Sequence, residues 1–599
     1  MSDLASLSDA ARYSFAAVCA LALNHLFNNE WDRAFNEKCL KKLLEFLKLP
    51  PQTRTTMVEI MNSDTGMKVG PYVSLLREEP SLKDDQTVLI QALIELAVAE
   101  GISAGVYDAR WRVLVKFIAS NFDVDEGFID VVECSIIYFL KQERVLSAEE
   151  LQSAKSRERI TKVKRYALIG LAGIGGGALL GVTGGLAAPL IGAGLGGLIG
   201  TSAALTALGS VTGAAVLGSL FGVAGAGLTS FKMHKRVGDI EEFEFKYLHN
   251  DAENIKIDED TASESIIKRN VLSHDTEGQL HITIAITGWL KDELEDNFSR
   301  PWNQLVNSKE QYYLKYESPY LLELGKAMEY FLTMAITAAT QEALKYTILS
   351  GLMSAIAWPA GVLGLSSIID NPWGVCCRRS AQVGKQLAEI LLSRTHGHRP
   401  ITLVGYSLGA RVIYYCLREM SDRANCEGIV QDAVLIGAPC TANSSDWLKL
   451  RRVVAGKIVN GYCRSDWLLR FLYRTLSLSR KGVAGLQPIN LEDRRMQNVD
   501  LTKIVSGHFE YPDKIVEILT EVGIRTSSDL KTLKKSSSVP TSPEKANANA
   551  FLPQSQSDSV LVLQSRATES EGTELASNIS REDSSNSASS CYEVTETSK

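Results

Sequence analysis

Histidine is scarce in this chain. There are eight in 599 residues, and only His508 comes after Ser407. The ten cysteines are scattered, with Cys376 and Cys377 adjacent and no C-x-x-C pair. That distribution fits reduced thiols and argues against a disulfide frame or a zinc site. Basic charge is not in excess either. A formal net charge of -7 gives no global reason to expect nucleic acid as a partner. The N-terminus carries acids where a secretory leader needs a basic region, so no signal peptide is expected and the folded part should face the cytosol. Between Tyr166 and Phe231 charge is missing altogether.

That interval is long enough for two bilayer crossings, since roughly 20 apolar residues make one. Basic residues flank it on both sides: Lys162, Lys164 and Arg165 before, Lys232, Lys235 and Arg236 after. Flanks of one sign keep both ends on the cytosolic side and demand an even number of passes, hence a hairpin. Glycines four apart (Gly173, Gly177, Gly181, Gly185, then Gly192, Gly196, Gly200) allow close helix contact in lipid. A glycine-rich buried helical pair in a soluble core is the alternative weighed against a membrane span, and partial insertion or curvature sensing is a further reading of the same stretch.

Before the hairpin, residues 1–160 read as an all-α domain, with apolar residues at three- and four-residue spacing in 40–48, 88–99 and 111–118. Asp123 to Gly127 lacks the ligand positions of a calcium loop and is expected to be a turn and helix cap. Glu133, Glu143, Glu149 and Glu150 are expected on exposed helix faces. No sustained a/d heptad is present.

The segment 237–525 alternates strand-like and helix-like runs, which implies a mostly parallel sheet. Residues 241–277 read as a charged linker. Strands are expected at 280–288, 401–406, 429–439, 457–463 and 496–500, with a long, mostly helical insertion between the first two. The apolar part of that insertion, near 320–370, includes 346–369, which carries no charge. A third crossing there would separate two strands of one sheet, so a buried helix, a lid or an interfacial helix is preferred. Residues 526–599 are Ser-rich and read as a disordered tail. The sequons at Asn297, Asn443 and Asn578 are expected to be idle on the cytosolic side.

Ile401 to Leu417 holds the chemistry. A β-branched strand runs into Gly405-Tyr406-Ser407-Leu408-Gly409 and then an apolar helix, which is the context the G-x-S-x-G nucleophile elbow requires. A serine hydroxyl needs an imidazole to take its proton and a carboxylate to fix that imidazole. Ser407, Asp466 and His508 occur in the order Ser, acid, His. Asp500 is the main rival for the acid and Asp446 a more distant one. The Leu408 N–H and the backbone at Gly288 and Trp289 are the oxyanion candidates. No cofactor or metal is expected.

The Gly-rich hairpin taken with Ile-Thr-Gly-Trp, Gly-Tyr-Ser-Leu-Gly-Ala-Arg-Val, Leu-Ile-Gly-Ala-Pro, Asn-Gly-Tyr-Cys-Arg-Ser-Asp-Trp-Leu-Leu and Val-Ser-Gly-His resembles the transmembrane and coiled-coil domain-containing protein four family, over roughly residues 10–525. The resemblance implies a multi-pass membrane protein with an α/β-hydrolase-like domain, and Ser407, Asp466 and His508 fall where its triad would lie. The expected activity is hydrolysis of a lipid or other acyl ester, with membrane lipids as partners. The alternative is a catalytically silent scaffold in trafficking or membrane organisation. A transporter is disfavoured because the hairpin holds no acid or base to mark an ion path.

Overall fold

The computed structural model describes residues 7–62, 66–83, 85–142, 220, 228, 240–248, 279–342, 366–476 and 482–527. The expected Gly-rich hairpin, most of the apolar stretch at 346–369 and the Ser-rich tail lie outside these residues. Seven strands form one sheet: β1 (Phe243–Tyr247), β2 (Ile282–Ile286), β3 (Glu310–Tyr316), β4 (Ile401–Tyr406), β5 (Val430–Ile436), β6 (Ile458–Tyr462) and β7 (Met496–Asp500). Their order is β1-β3-β2-β4-β5-β6-β7. Only β1 runs antiparallel, against β3. β2, β4 and β6 are buried at every position and β5 at all but one, as strands covered on both faces must be.

The five expected strands are present; β1 and β3 are additions. β1 falls in what reads as a charged linker, yet Phe-Glu-Phe-Lys-Tyr alternates, burying Phe243 and Phe245 while Glu244 and Lys246 are less covered. Five residues of alternation amid many charges make a weak signal, and the sheet edge tolerates those charges. β3 falls in what reads as a helical insertion. Its leading Glu310 is buried because Arg399 grips both carboxylate oxygens and Tyr312 Oη donates to Oε1 at 2.7 Å. Nothing near Glu310 in the sequence announces that partner.

Beyond β3 the described residues of the insertion form α8 (Ser318–Glu342) and α9 (Ser366–Leu392), which lie against each other, and α9 packs along α10 (Leu408–Ser421). Gly384 of α9 makes that approach close, since a Cβ there would stand 2.5 Å from the Val412 carbonyl oxygen. Further on come α11 (Ser444–Val453), α12 (Trp467–Leu476) and α13 (Ile515–Glu521).

Among the described residues, seven α-helices precede the sheet: α1 (Asp9–Leu26), α2 (Arg33–Phe46), α3 (Pro51–Asn62), α4 (Gly70–Glu78), α5 (Thr87–Ala104), α6 (Ala109–Asn121) and α7 (Glu126–Gln142). Ser8 caps α1 by accepting from Ala11 N at 3.1 Å, and Gly105 ends α5 at φ +68. α5 is the one described helix long and apolar enough to cross a membrane, but most of it is buried among its neighbours. Asp125 accepts from Gly127 N at 2.7 Å, the capping turn expected there.

These helices share a hydrophobic core that also takes in Leu280 and Ala455, which lie just before β2 and β6. They therefore close the amino edge of the parallel strands. A buried ionic cluster joins the two parts. Arg112 of α6 donates to Asp130 and Glu133 of α7 and, at 3.1 Å, to Gln431 of β5; Arg525 reaches Asp130 at 2.6 Å. Glu133 is thus no exposed helix residue. It is fully buried, because Arg112 and the Tyr107 hydroxyl face it.

Candidate active site

With the helices on the amino edge, the carboxyl edge is left for chemistry. Strand connections leave β2 toward β3 and leave β4 toward β5, so the chain reverses its direction of travel between β2 and β4. Ligand sites of open α/β sheets lie at such a switch point, beyond the carboxyl ends of the strands. Gly288 follows β2 there, and Ser407 follows β4.

Ser407 has φ 53 and ψ -123, a conformation that costs a non-glycine residue about 1–3 kcal/mol. Neighbouring contacts over-determine it: Ser407 N donates to Ile436 O at 2.8 Å and Arg411 N to Ser407 O at 3.0 Å. Both elbow glycines are sterically required. A Cβ on Gly409 would overlap the Ile286 carbonyl, and one on Gly405 would stand 2.9 Å from Gly409 C.

The structure brings the three expected residues together. Ser407 Oγ lies 2.7 Å from His508 Nε2, and His508 Nδ1 lies 2.7 Å from Asp466 Oδ2. A carboxylate only accepts, so Nδ1 carries the ring proton and Nε2 is left to accept from the serine hydroxyl. Asp466 precedes α12 and takes Leu469 N onto Oδ1 at 2.9 Å, so a helix start holds its charge. His508 opens a single 3-10 turn beyond β7. All three side chains are buried, Ser407 at 1% exposure and the other two at 0%.

The rival acids are elsewhere. Asp500 is half-exposed, with Arg464 Nε at 2.8 Å and the Thr502 hydroxyl beside it, and these partners hold its carboxyl below the ordinary range despite some desolvation. Asp446 sits in the first turn of α11, bonded to Asn443 Nδ2 at 3.0 Å.

Among the oxyanion candidates, Leu408 N begins α10, whose first-turn N–H groups have no partner within the helix. Gly288 lies directly beside it: a Cβ there would fall 2.6 Å from Ser407 Cβ and 3.0 Å from Leu408 N. We expect Gly288→Ala to lower stability by about 1–3 kcal/mol through this overlap, or to keep its stability only by displacing Ser407. Thermal melting scored together with active-site labelling distinguishes these; an unchanged protein by both measures would contradict the geometry. The Trp289 indole stands edge-on to Phe509, 6.1 Å between centroids, and its buried Nε1 has no hydrogen-bond partner among the described residues.

Three contributors were not picked out from the sequence. Trp302 Nε1 donates to Thr287 Oγ1 at 2.9 Å and Tyr316 Oη to Thr287 O at 2.8 Å, fixing the loop that carries Gly288. Tyr511 Oη lies 3.3 Å from Asp466 Oδ2. Each acts across more than ten residues of chain, without a motif to mark it. Among the described residues, no three His, Cys, Asp or Glu side chains are grouped to hold a metal ion.

Residues 161–525 match the family model described as "Protein of unknown function (DUF726)". An uncharacterized membrane protein of Caenorhabditis elegans is 39% identical over 527 residues, covering 87% of this chain and 80% of that protein. "Transmembrane and coiled-coil domain-containing protein STS1" of Oryza sativa subsp. japonica is 38% identical over 439 residues, 70% of this chain and 61% of its own length. "Probable lipase MIL1" of Saccharomyces cerevisiae is 28% identical over 531 residues, 84% of this chain and 46% of that protein. The chain therefore spans less than two thirds of the rice and yeast relatives. No solved structure matches.

Proposed function

The chain belongs to the DUF726 family, and we propose that it is a membrane-anchored serine hydrolase that cleaves a lipid or other acyl ester with Ser407, His508 and Asp466. The observation that carries this reading is the unbroken relay from Ser407 Oγ through His508 to Asp466, two contacts of 2.7 Å ending on a serine at positive φ. The sheet supports an α/β-hydrolase-like fold: the nucleophile follows a central strand, the acid follows β6 and the histidine follows β7.

In this mechanism Ser407 Oγ bonds to the acyl carbon as its proton passes to His508 Nε2. Asp466 stabilises the imidazolium through Nδ1. The collapsing intermediate breaks the ester C–O bond, and Nε2 returns the proton to the leaving alcohol oxygen. Water then repeats the sequence on the acyl-enzyme, releasing the carboxylic acid and restoring the hydroxyl. Leu408 N–H and the backbone at Gly288 and Trp289 would receive the oxyanion.

The charge-free stretch from Tyr166 to Phe231, with basic residues on both sides, supports a two-pass hairpin that leaves the hydrolase domain facing the cytosol, against membrane lipids. The names of the worm and rice relatives support a membrane setting, and that of the yeast relative supports a lipase-like reaction. The second reading, a silent scaffold, draws on the closure of the site, with Ser407 only 1% exposed. A fluorophosphonate probe applied to the full chain in membranes separates the two. Covalent label on the peptide containing Ser407 is the result expected of a hydrolase; a folded chain that never takes the label would leave the scaffold.

A further inference from the structure

Asp466 Oδ2 accepts from two donors, His508 Nδ1 at 2.7 Å and Tyr511 Oη at 3.3 Å. Tyr511 is fully buried and its ring meets the His508 ring edge-on, 5.3 Å between centroids. The turn after β5 is shaped around it. Gly437 there has φ +55, and a Cβ on it would fall 2.6 Å from the tyrosine ring. Three separate chain segments thus converge to place one phenol on the acid of the relay.

We propose that Tyr511 is a positioning residue that sets the strength of the proton relay, by sharing the Asp466 oxygen on which His508 depends. The inference rests on the hydrolase reading above. A second donor draws charge from Oδ2, so the carboxylate pulls less strongly on the imidazolium, and it also pins the carboxylate in the ring plane. Burial, and then the facing Asp466 charge, push the phenol well above its ordinary range, so it remains a neutral donor at working pH. Among the described residues, Cys463 also faces the pair, its thiol likewise pushed up by burial. Charged neighbours are otherwise engaged: Arg464 with Asp500, and Glu510 with the Ser506 N–H. Trp467, with Phe331 stacked on it, adds no charge.

The sign of the effect follows. Without the phenol hydroxyl, Oδ2 serves His508 alone and the protonated ring is favoured. The acidic limb of the labelling-rate profile should then move to higher pH in Tyr511→Phe, by about half to one unit. Site-specific 3-fluorotyrosine at 511 strengthens the donor and should move the limb the opposite way, by a few tenths of a unit on the same scale. This second variant keeps the ring and hydroxyl in place, and so decides the matter if the phenylalanine variant fails to fold.

Rates of fluorophosphonate labelling across pH, with the full chain in membranes, provide the readout. The ring titration of ¹³C-labelled His508 reports the same coupling without any reaction. Opposite displacements in the two variants are the expected result; coincident profiles, or a downward move in Tyr511→Phe, would overturn the proposal. A wild-type chain that takes no label would instead remove the hydrolase reading, while the ring titration still decides the coupling.

Discussion

Ser407→Ala should abolish fluorophosphonate labelling and lower ester hydrolysis by about 10⁶-fold, the scale on which serine-triad nucleophiles matter. Asp466→Asn should cost about 10⁴-fold with little change in fold. The second number follows from the direction of one hydrogen bond. An asparagine that presents its amide NH₂ to His508 Nδ1 makes that nitrogen an acceptor, which moves the ring proton to Nε2. The imidazole then faces the serine hydroxyl as a donor and has nowhere to put its proton. Asp500→Asn is the matched control. Its partner is Arg464 and it stands half in solvent, so the rate should stay within about twofold, as for a surface change. Initial rates on p-nitrophenyl esters of graded chain length, with melting curves to check folding, measure all three. A near-normal rate in Asp466→Asn, or a collapse in Asp500→Asn, would reverse the assignment of the acid.

Arg112→Met should destabilise the chain by about 3–5 kcal/mol, the usual loss when one partner of a buried ion cluster is removed. Glu133 is fully buried and, among the described residues, would retain only the Tyr107 hydroxyl at 2.7 Å. Asp130 would keep Arg525, and is the less exposed to the loss. The two carboxyls already differ in this way. Burial pushes both up, but the two guanidiniums outweigh it at Asp130 and hold that carboxyl below its ordinary range, whereas Glu133 stays above. Adding Glu133→Gln to Arg112→Met should recover part of the loss, since the uncompensated charge is then gone. Urea unfolding measures the difference. Limited proteolysis should show the N-terminal helices cut first, because the same arginine ties them to Gln431 of β5. A single mutant as stable as the parent would mean that the cluster adds nothing to that junction.

Local order carried much of the sheet. β2, β4, β5 and β6 are short apolar runs ended by glycine or turn residues, and burial on both faces requires that composition. The elbow could be read because its two glycines and its serine fall within five consecutive residues between a strand and a helix, although contacts that hold them, Ile286 against Gly409 and Ile436 O on Ser407 N, come from other strands. β1 and β3 were missed because their charged residues obscure them. What makes Glu310 acceptable in a strand is Arg399, 89 residues away. Glu133 misled in the same manner, since a glutamate on a helix is ordinarily solvated and its arginine lies 21 residues earlier.

The residues alone therefore determined a serine in a strand–turn–helix elbow, a mostly parallel sheet and, by elimination, the one histidine that follows that serine in the chain. Folding was needed to choose among the acids, to bring Gly288 against Ser407 and to set Tyr511 on Asp466. The division follows from range. Dihedral preference and side-chain period act over a few residues, whereas a carboxylate takes its role from whichever donors the closed sheet delivers to it, 42 residues away for His508 and 45 for Tyr511.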